Sequence, residues 1–90
     1  MKYQIEMSTR FKKDYKLCKK RGYNMKLLQD VIDALAIPEE LSTKYKDHYL
    51  SGNFVNKREC HIMSDWLLIY QVEGNRLILY RTGTHSDLFK

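Results

Sequence analysis

The sequence predicts a single α+β domain, in which an N-terminal strand is followed by a helical hairpin and then by an antiparallel three-strand meander. Apolar residues alternate with polar ones at the start of the chain, recur every three or four positions through the next thirty residues, and return to a period of two beyond residue 52. A chain of 90 residues has the length of one small domain, so residues 1–90 are assigned to one domain. The helices are expected to pack on one sheet face and to leave the other face free for a ligand.

The first strand and the first helix follow from the period of the apolar residues. Residues 2–7 are predicted to form a half-buried strand with Tyr3, Ile5 and Met7 on one side. Ser8 or Thr9 can cap the helix that follows. The apolar stripe of this helix consists of Phe11, Tyr15 and Cys18. Gly22 suits the position just after its C-terminus.

A second helix is predicted between Asn24, which can cap its N-terminus, and Pro38, which ends it. Its apolar face consists of Leu27, Leu28, Val31, Ile32 and Leu35. Ala34 and Ala36 suit close packing. The short turn between the two helices makes them a helical hairpin, and residues 39–47 are predicted to form a loop.

The meander is predicted from three apolar runs with short connections. The runs are residues 53–63, 66–72 and 76–82, and residues 64–65 and 73–75 connect them. The middle run is almost continuously apolar, which is typical of a central strand.

The net charge of +5 is concentrated in the first helix. Residues 10–21 hold seven basic side chains and one acidic side chain, whereas the rest of the chain sums to −1. A basic helix face can be merely solvated, but this concentration favours a surface that faces phosphates. The lysines predicted to contact RNA are Lys12, Lys13, Lys16, Lys19 and Lys20.

Several features favour a cytoplasmic protein without a membrane partner. No window approaches the roughly 18 apolar residues of a membrane span, and residues 1–6 lack the apolar core of a secretory signal. Cys18 and Cys60 are far apart and form no CxxC pattern, so we expect reduced thiols.

The candidate chemistry lies around the three histidines, His48, His61 and His85. A lone histidine is usually an ordinary surface or half-buried residue. These three lie at strand boundaries or within the meander, where antiparallel pairing can bring them together. Charged residues near the same strand segments are Glu59, Asp65 and Arg81. The set therefore favours a site.

Two chemistries use imidazoles together with carboxylates. Zinc sites generally contain a close local ligand pair, and the long histidine spacings do not favour one, so no metal or other cofactor is expected. General acid–base catalysis fits better, because histidine titrates near neutral pH. RNA is a matching substrate, since its 2′-OH is an internal nucleophile and an arginine can stabilise the charged transition state. Phe89 or Trp66 could stack on a base, although Trp66 could equally be core and Phe89 could simply pin the tail.

Four motifs and the C-terminus resemble those of a known family. They are YKDH ending at His48, RECH ending at His61, DWLLIY beginning at Asp65, and RTGTH ending at His85, followed by Leu88 and Phe89. In this order and spacing they resemble the YafQ branch of the RelE/ParE toxin superfamily. The resemblance spans nearly the whole chain and includes the basic first helix.

The resemblance implies a RelE-like fold and a ribosome-dependent endoribonuclease of a type II toxin–antitoxin pair, which cuts mRNA in the ribosomal A site. It implies a cognate antitoxin as partner and operator DNA as a partner of the toxin–antitoxin complex. By the same resemblance His85 is the general acid and Arg81 contacts the phosphate. Asp65, His61 or His48 is the base or orients it. Glu59 stands where the best-known member has the shorter aspartate.

Two other readings stay open at this point. A ParE-like toxin of the same superfamily would target gyrase and would lack the acid–base residues. A non-catalytic RNA- or DNA-binding module would use the basic helix alone, but it would leave the histidine cluster without a purpose.

Overall fold

The computed structural model describes residues 2–37, 48–49 and 57–89, and at residues 48 and 49 it describes the backbone only. In chain order the elements are β1 (Gln4–Met7), α1 (Thr9–Lys20), α2 (Met25–Ala36), β2 (His48–Tyr49), β3 (Arg58–Met63), β4 (Trp66–Glu73), β5 (Arg76–Gly83) and α3 (His85–Leu88). The strands form one sheet in the order β1-β5-β4-β3-β2, with β1 parallel to β5 and the other pairs antiparallel. The α+β prediction is confirmed. The predicted helix stop at Pro38, the loop at 39–47 and the strand start at 53–56 lie outside the described residues.

The helix ends are fixed by the residues that the sequence indicated. The Ser8 hydroxyl accepts the backbone N–H of Phe11 at 2.9 Å and donates to the carbonyl of Tyr80 at 2.7 Å. It therefore caps α1 and also ties the helix to β5. Gly22 follows α1 with a φ of 84°, which favours glycine. Asn24 caps α2 by accepting a backbone N–H of its first turn at 3.2 Å.

The main core lies between the helical hairpin and one face of the sheet. Its largest members are Phe11, Leu28, Val31, Ile32 and Leu35 from the helices, and Cys60, Trp66, Leu68, Tyr70, Leu77 and Leu79 from the strands. Burying each large apolar side chain contributes about 1.5–3 kcal/mol. The predicted apolar stripe of α1 is partly wrong, since Tyr15 is exposed. Ala34 of α2, which was predicted to pack closely, is also exposed. Cys18 and Cys60 are buried and are not joined to each other by a disulfide.

The first strand departs from the prediction of a half-buried strand. Ile5 and Met7 are 42% and 48% exposed. The reason is that β1 is an edge strand paired only with β5, and of its predicted apolar side only Tyr3 packs against the core. Two elements were not predicted, the two-residue edge strand β2 and the one-turn helix α3.

The second sheet face carries the row of residues from which the site is built. Ile69 in β4 pairs with Glu59 on one side and with Arg81 on the other, and Leu67 pairs with His61 and Gly83. Leu67 and Ile69 are fully buried together with Leu88 of α3. The expectation that this face is free for a ligand is therefore only partly right, because α3 covers its centre.

No helix in the part of the chain that the structure describes is long and apolar enough to cross a membrane.

Candidate active site

The site begins with a histidine that is held by an aspartate from the neighbouring turn. Asp65 lies in the turn between β3 and β4, and His85 begins α3. Oδ1 of Asp65 lies 2.7 Å from Nδ1 of His85 and accepts the His85 backbone N–H at 2.9 Å. These contacts, the backbone N–H first, lower the pKa of the Asp65 carboxyl. An ionised carboxylate on Nδ1 leaves Nε2 of His85 as the atom that can exchange protons.

A second carboxylate–histidine pair lies on β3. Glu59 and His61 are two residues apart on one strand, so both side chains project from the same face. Oε1 of Glu59 lies 3.0 Å from Nε2 of His61. Glu59 is 5% exposed, and the His61 side chain is 19% exposed. A buried acid of this kind needs a polar partner, and His61 supplies one.

The two pairs meet at the end of the sheet. The ring centroids of His61 and His85 are 5.8 Å apart, and those of His85 and Phe89 are 6.3 Å apart. Phe89 is 42% exposed. The structure thus brings together four of the predicted residues, namely His61, Asp65, His85 and Phe89.

The same cluster could hold a metal ion. Ligand atoms of Glu59, His61 and His85 lie within 4.8 Å of one another. The sequence argument against a metal considered histidine spacing and did not combine Glu59 with His61 as a local ligand pair. Two imidazoles and a carboxylate are a donor set that suits zinc and copper, so the residues fit such an ion.

Arg81 is held by an acid that the sequence analysis did not single out. Its Nε and Nη2 donate to the carboxylate of Asp14 on α1 at 2.7 and 3.2 Å. Asp14 also accepts the backbone N–H of Thr82 at 3.2 Å. The side chains of Arg81 and Asp14 are only 16% and 10% exposed. Within the described ranges no acceptor lies on Nη1 of Arg81.

The helix α3, which carries His85, is held by a capping box at its N-terminus and by an ion pair with the end of α1. Thr84 and Asp87 form a capping box, in which the Thr84 hydroxyl accepts the Asp87 N–H at 3.1 Å and Asp87 accepts the Thr84 N–H at 3.0 Å. Arg21, at the end of α1, donates to both Asp87 oxygens at 2.7 and 3.2 Å. The Arg21 guanidinium, with the Thr84 N–H, holds the pKa of the Asp87 carboxyl well below its usual range.

Two predicted site residues, Trp66 and His48, are not among the described members of the cluster formed by His61, Asp65, His85 and Phe89. Trp66 is 3% exposed, and its indole N–H donates to Thr82 Oγ1 at 2.9 Å. It belongs to the core, so the prediction that Trp66 stacks on a base has little exposed ring surface behind it. The backbone of His48 pairs with Glu59 in the sheet, while its side chain lies outside the described residues.

The predicted RNA-contacting lysines all lie on the exposed surface of α1. They are Lys12, Lys13, Lys16, Lys19 and Lys20. The helix that carries them is joined to the site residues through Asp14 and Arg21.

Comparisons with known proteins identify a family and a matching fold. A family model described as "Bacterial toxin of type II toxin-antitoxin system, YafQ" matches residues 3–90. The mRNA interferase toxin YafQ of Escherichia coli strain K12 is 40% identical over 88 residues, which are 94% of each chain. The crystal structure of the E. coli DinJ–YafQ toxin–antitoxin complex superposes with a TM-score of 0.91 at 37% identity and covers 100% of both chains.

A third relative bears on the metal question. The crystal structure of a metal-bound toxin from Helicobacter pylori has a TM-score of 0.89 and 46% identity, and the match covers 97% of this chain and 99% of that chain. That toxin binds a metal ion.

Proposed function

Since this chain belongs to the YafQ family of bacterial toxins of type II toxin–antitoxin systems, we propose that it is an mRNA interferase that cuts messenger RNA in the ribosomal A site. One observation carries the proposal. Two histidines, each paired with a carboxylate, face each other with their rings 5.8 Å apart. The arrangement places a candidate proton donor beside a candidate proton acceptor.

In the proposed reaction His85 is the general acid. Its Nδ1 is occupied by Asp65, so Nε2 carries the proton that is delivered. As the P–O5′ bond breaks, the leaving 5′-oxygen takes this proton. Asp65 acts as a positioning residue, because it fixes the tautomer and the ring orientation and does not contact the reacting atoms.

The Glu59–His61 pair is the proposed base. It takes the proton of the 2′-OH, and the 2′-oxygen then forms a bond to phosphorus, which gives a 2′,3′-cyclic phosphate and a 5′-OH. Glu59 is buried and held against His61, so the acceptor is already oriented before substrate binds. His48 lies in register with Glu59 and remains a candidate for orienting the base.

Arg81 and Phe89 are proposed to hold the scissile nucleotides. The Arg81 guanidinium is fixed by Asp14 through Nε and Nη2, and its Nη1 would stabilise the charge that develops on the phosphate. Phe89 is exposed beside His85 and would stack on a base.

The ribosome requirement is proposed on physical grounds. In-line attack needs a strained RNA backbone, and orientation accounts for a large part of such a barrier. A sheet as small as this one has little surface with which to impose that geometry, whereas a codon bound in the ribosome is already held. The exposed lysines of α1 would contact ribosomal RNA phosphates. A cognate antitoxin would neutralise the toxin, and the complex of the two would bind operator DNA.

We also propose that catalysis needs no metal. A transition metal on Glu59, His61 and His85 would supply Lewis-acid chemistry, but it would occupy the ring nitrogens that the proton transfers require. The acid–base route and a metal-loaded cluster are therefore alternatives at the same atoms.

The test is primer extension on a defined mRNA with and without programmed 70S ribosomes, comparing the wild type with His85→Ala. Cleavage that needs ribosomes and falls at least about 100-fold in the variant is expected, since general acid catalysis contributes that much. A chelator selective for transition metals, which spares the Mg²⁺ of the ribosome, should leave the rate unchanged. No cleavage by the wild type would refute the nuclease proposal and favour a gyrase-directed toxin or a binding module.

A further inference from the structure

A cleft that none of the proposed chemistry uses lies next to the active site. It has a volume of about 440 Å³ and is lined by residues 22–24 of the turn between α1 and α2, residues 63–66 of the turn between β3 and β4, and Thr84. Asp65 and Thr84 join it to the active site, because Asp65 holds His85 and Thr84 caps the helix that His85 begins. The cleft and the catalytic cluster are therefore neighbouring parts of one surface.

The walls of the cleft are aromatic and are held in place. The ring of Tyr23 packs edge-on against Trp66 with a centroid distance of 4.8 Å and an interplanar angle of 63°. Trp66 cannot rotate away, since its indole N–H is bonded to Thr82. Tyr23 also lies beside Arg21, which is itself bound to Asp87. Such a prearranged wall costs little ordering entropy when a ligand binds.

The rim of the cleft exposes apolar surface. Met63 is 56% exposed at the end of β3, immediately before the turn that carries Asp65. A thioether is polarisable and makes favourable contacts with aromatic rings. Lys19 and Lys20 end α1, which stops two residues before Gly22, and give this end of the helix positive charge. An aromatic ligand attached to a phosphate chain matches this combination.

We propose that this cleft binds one unpaired base of the RNA strand, adjacent to the scissile phosphate, and that Tyr23 and Met63 determine which base is accepted there. This inference rests on the proposed function. A volume of 440 Å³ lies at the lower end of the ligand-pocket range of about 300–1,000 Å³ and accommodates one base. Unstacked bases are commonly recognised by aromatic side chains and by hydrogen bonds to their edges.

Phe89 and the cleft would then hold two neighbouring bases apart. Phe89 contacts His85 through its ring, whereas the cleft is reached through Asp65 and Thr84. Bases that are held in separate sites on either side of a phosphate extend the backbone between them. That extension favours alignment of the 2′-oxygen with the leaving oxygen, which is the geometry that the chemistry needs.

The test measures the sequence around the cut. Programmed 70S ribosomes carrying mRNAs randomised at the A-site codon and its neighbours are treated with the wild type, Tyr23→Leu and Met63→Ala, and the cleaved 5′ ends are sequenced. Both variants should lose base discrimination at the same single position next to the cut, by roughly 2- to 13-fold, which is what the loss of one contact to a base edge would cost. Tyr15→Leu is the control, because it makes the same change on an exposed α1 tyrosine outside the cleft.

Met63→Ala keeps the test valid if Tyr23→Leu does not fold, since Met63 is exposed and its truncation leaves the core intact. An unchanged sequence profile in the variants would overturn the inference. If the variants with that unchanged profile also lost antitoxin binding, the cleft would be a contact surface for the antitoxin and not for a base. The wild-type reaction reports separately on the proposed nuclease. If it fails, the cleft is still tested by quenching of Trp66, the chain's only tryptophan, with nucleoside monophosphates. Quenching that Tyr23→Leu abolishes supports the cleft, and no quenching overturns it.

Discussion

The ion pair between Asp14 and Arg81 should be the most sensitive charged contact among the described residues, and Asp14→Ala tests this. The substitution removes one acceptor from two guanidinium nitrogens and from the Thr82 N–H. Breaking a buried ion pair on one side costs about 3–5 kcal/mol. Because the Arg81 side chain keeps 16% exposure and can turn toward water, we expect a loss of about 2–4 kcal/mol in the free energy of unfolding.

That loss is large for this chain. A domain of 90 residues has a total stability of roughly 5–13 kcal/mol, and each kcal/mol shifts the Tm of a domain of this size by about 4–8 °C. Urea denaturation followed by circular dichroism gives the value, provided that the m-value stays unchanged. Asp14→Asn should fall between the wild type and alanine, since its amide oxygen can still accept the Thr82 N–H.

Asp30→Ala is the matched control. Asp30 also lies on a helix and pairs with Lys26 at 3.1 Å, but that pair is exposed, so its loss should cost less than about 0.5 kcal/mol. In the cleavage assay Asp14→Ala should lower kcat about tenfold or more, because Arg81 is no longer held. KM should not rise, because removing an acidic charge from α1 does not weaken the attraction of this helix for RNA phosphates. Equal unfolding free energies for the Asp14→Ala and Asp30→Ala proteins would refute this reasoning.

Two further predictions concern α1 and its attachment to α3. Reversing the charges of Lys12, Lys16 and Lys19 to glutamate should weaken ribosome binding and flatten its dependence on salt, with Lys26→Glu on α2 as the control. An unchanged affinity with the wild-type salt dependence in the triple variant would contradict this prediction. In an NMR titration the pKa of Asp87 should lie well below 3.8 in the wild type and rise toward that value in Arg21→Ala. The stability that Asp87 contributes is therefore fully present above pH 3.8 and is lost as the pH falls through its lowered pKa, and identical Asp87 titrations in the two proteins would exclude this role of Arg21.

Much of the fold could be predicted because its signals are local. Helix caps at Ser8 and Asn24, the turn at Gly22 and the two-residue connection before Trp66 each depend on a few neighbouring residues. The pairing of β1 could not be predicted in the same way. The apolar residues of β1 alternate as they do in a half-buried strand, but all four residues of this edge strand are exposed, including Ile5. The alternation therefore predicted more burial than the structure has.

The site was predictable in its residue types but not in its pairs. Asp14 and Arg81 are 67 residues apart, and no local pattern reports such a contact. A partial signal existed, since Asp14 falls between Phe11 and Cys18 on the buried side of α1, where an acid needs a partner. The capping box of Thr84 and Asp87 also has a sequence signature, and it would have revealed α3.

The contact between Asp14 and the Thr82 amide also affects how this protein behaves at high concentration. β1 covers β5 only as far as Leu79, and beyond that residue the edge of β5 would expose backbone groups to other chains. The Ser8 hydroxyl takes the Tyr80 carbonyl and the Asp14 carboxylate takes the Thr82 N–H, so side chains of the α1 segment complete the hydrogen bonding that a missing strand would provide. The segment that carries the basic charge thereby protects this part of the β5 edge from pairing with another chain.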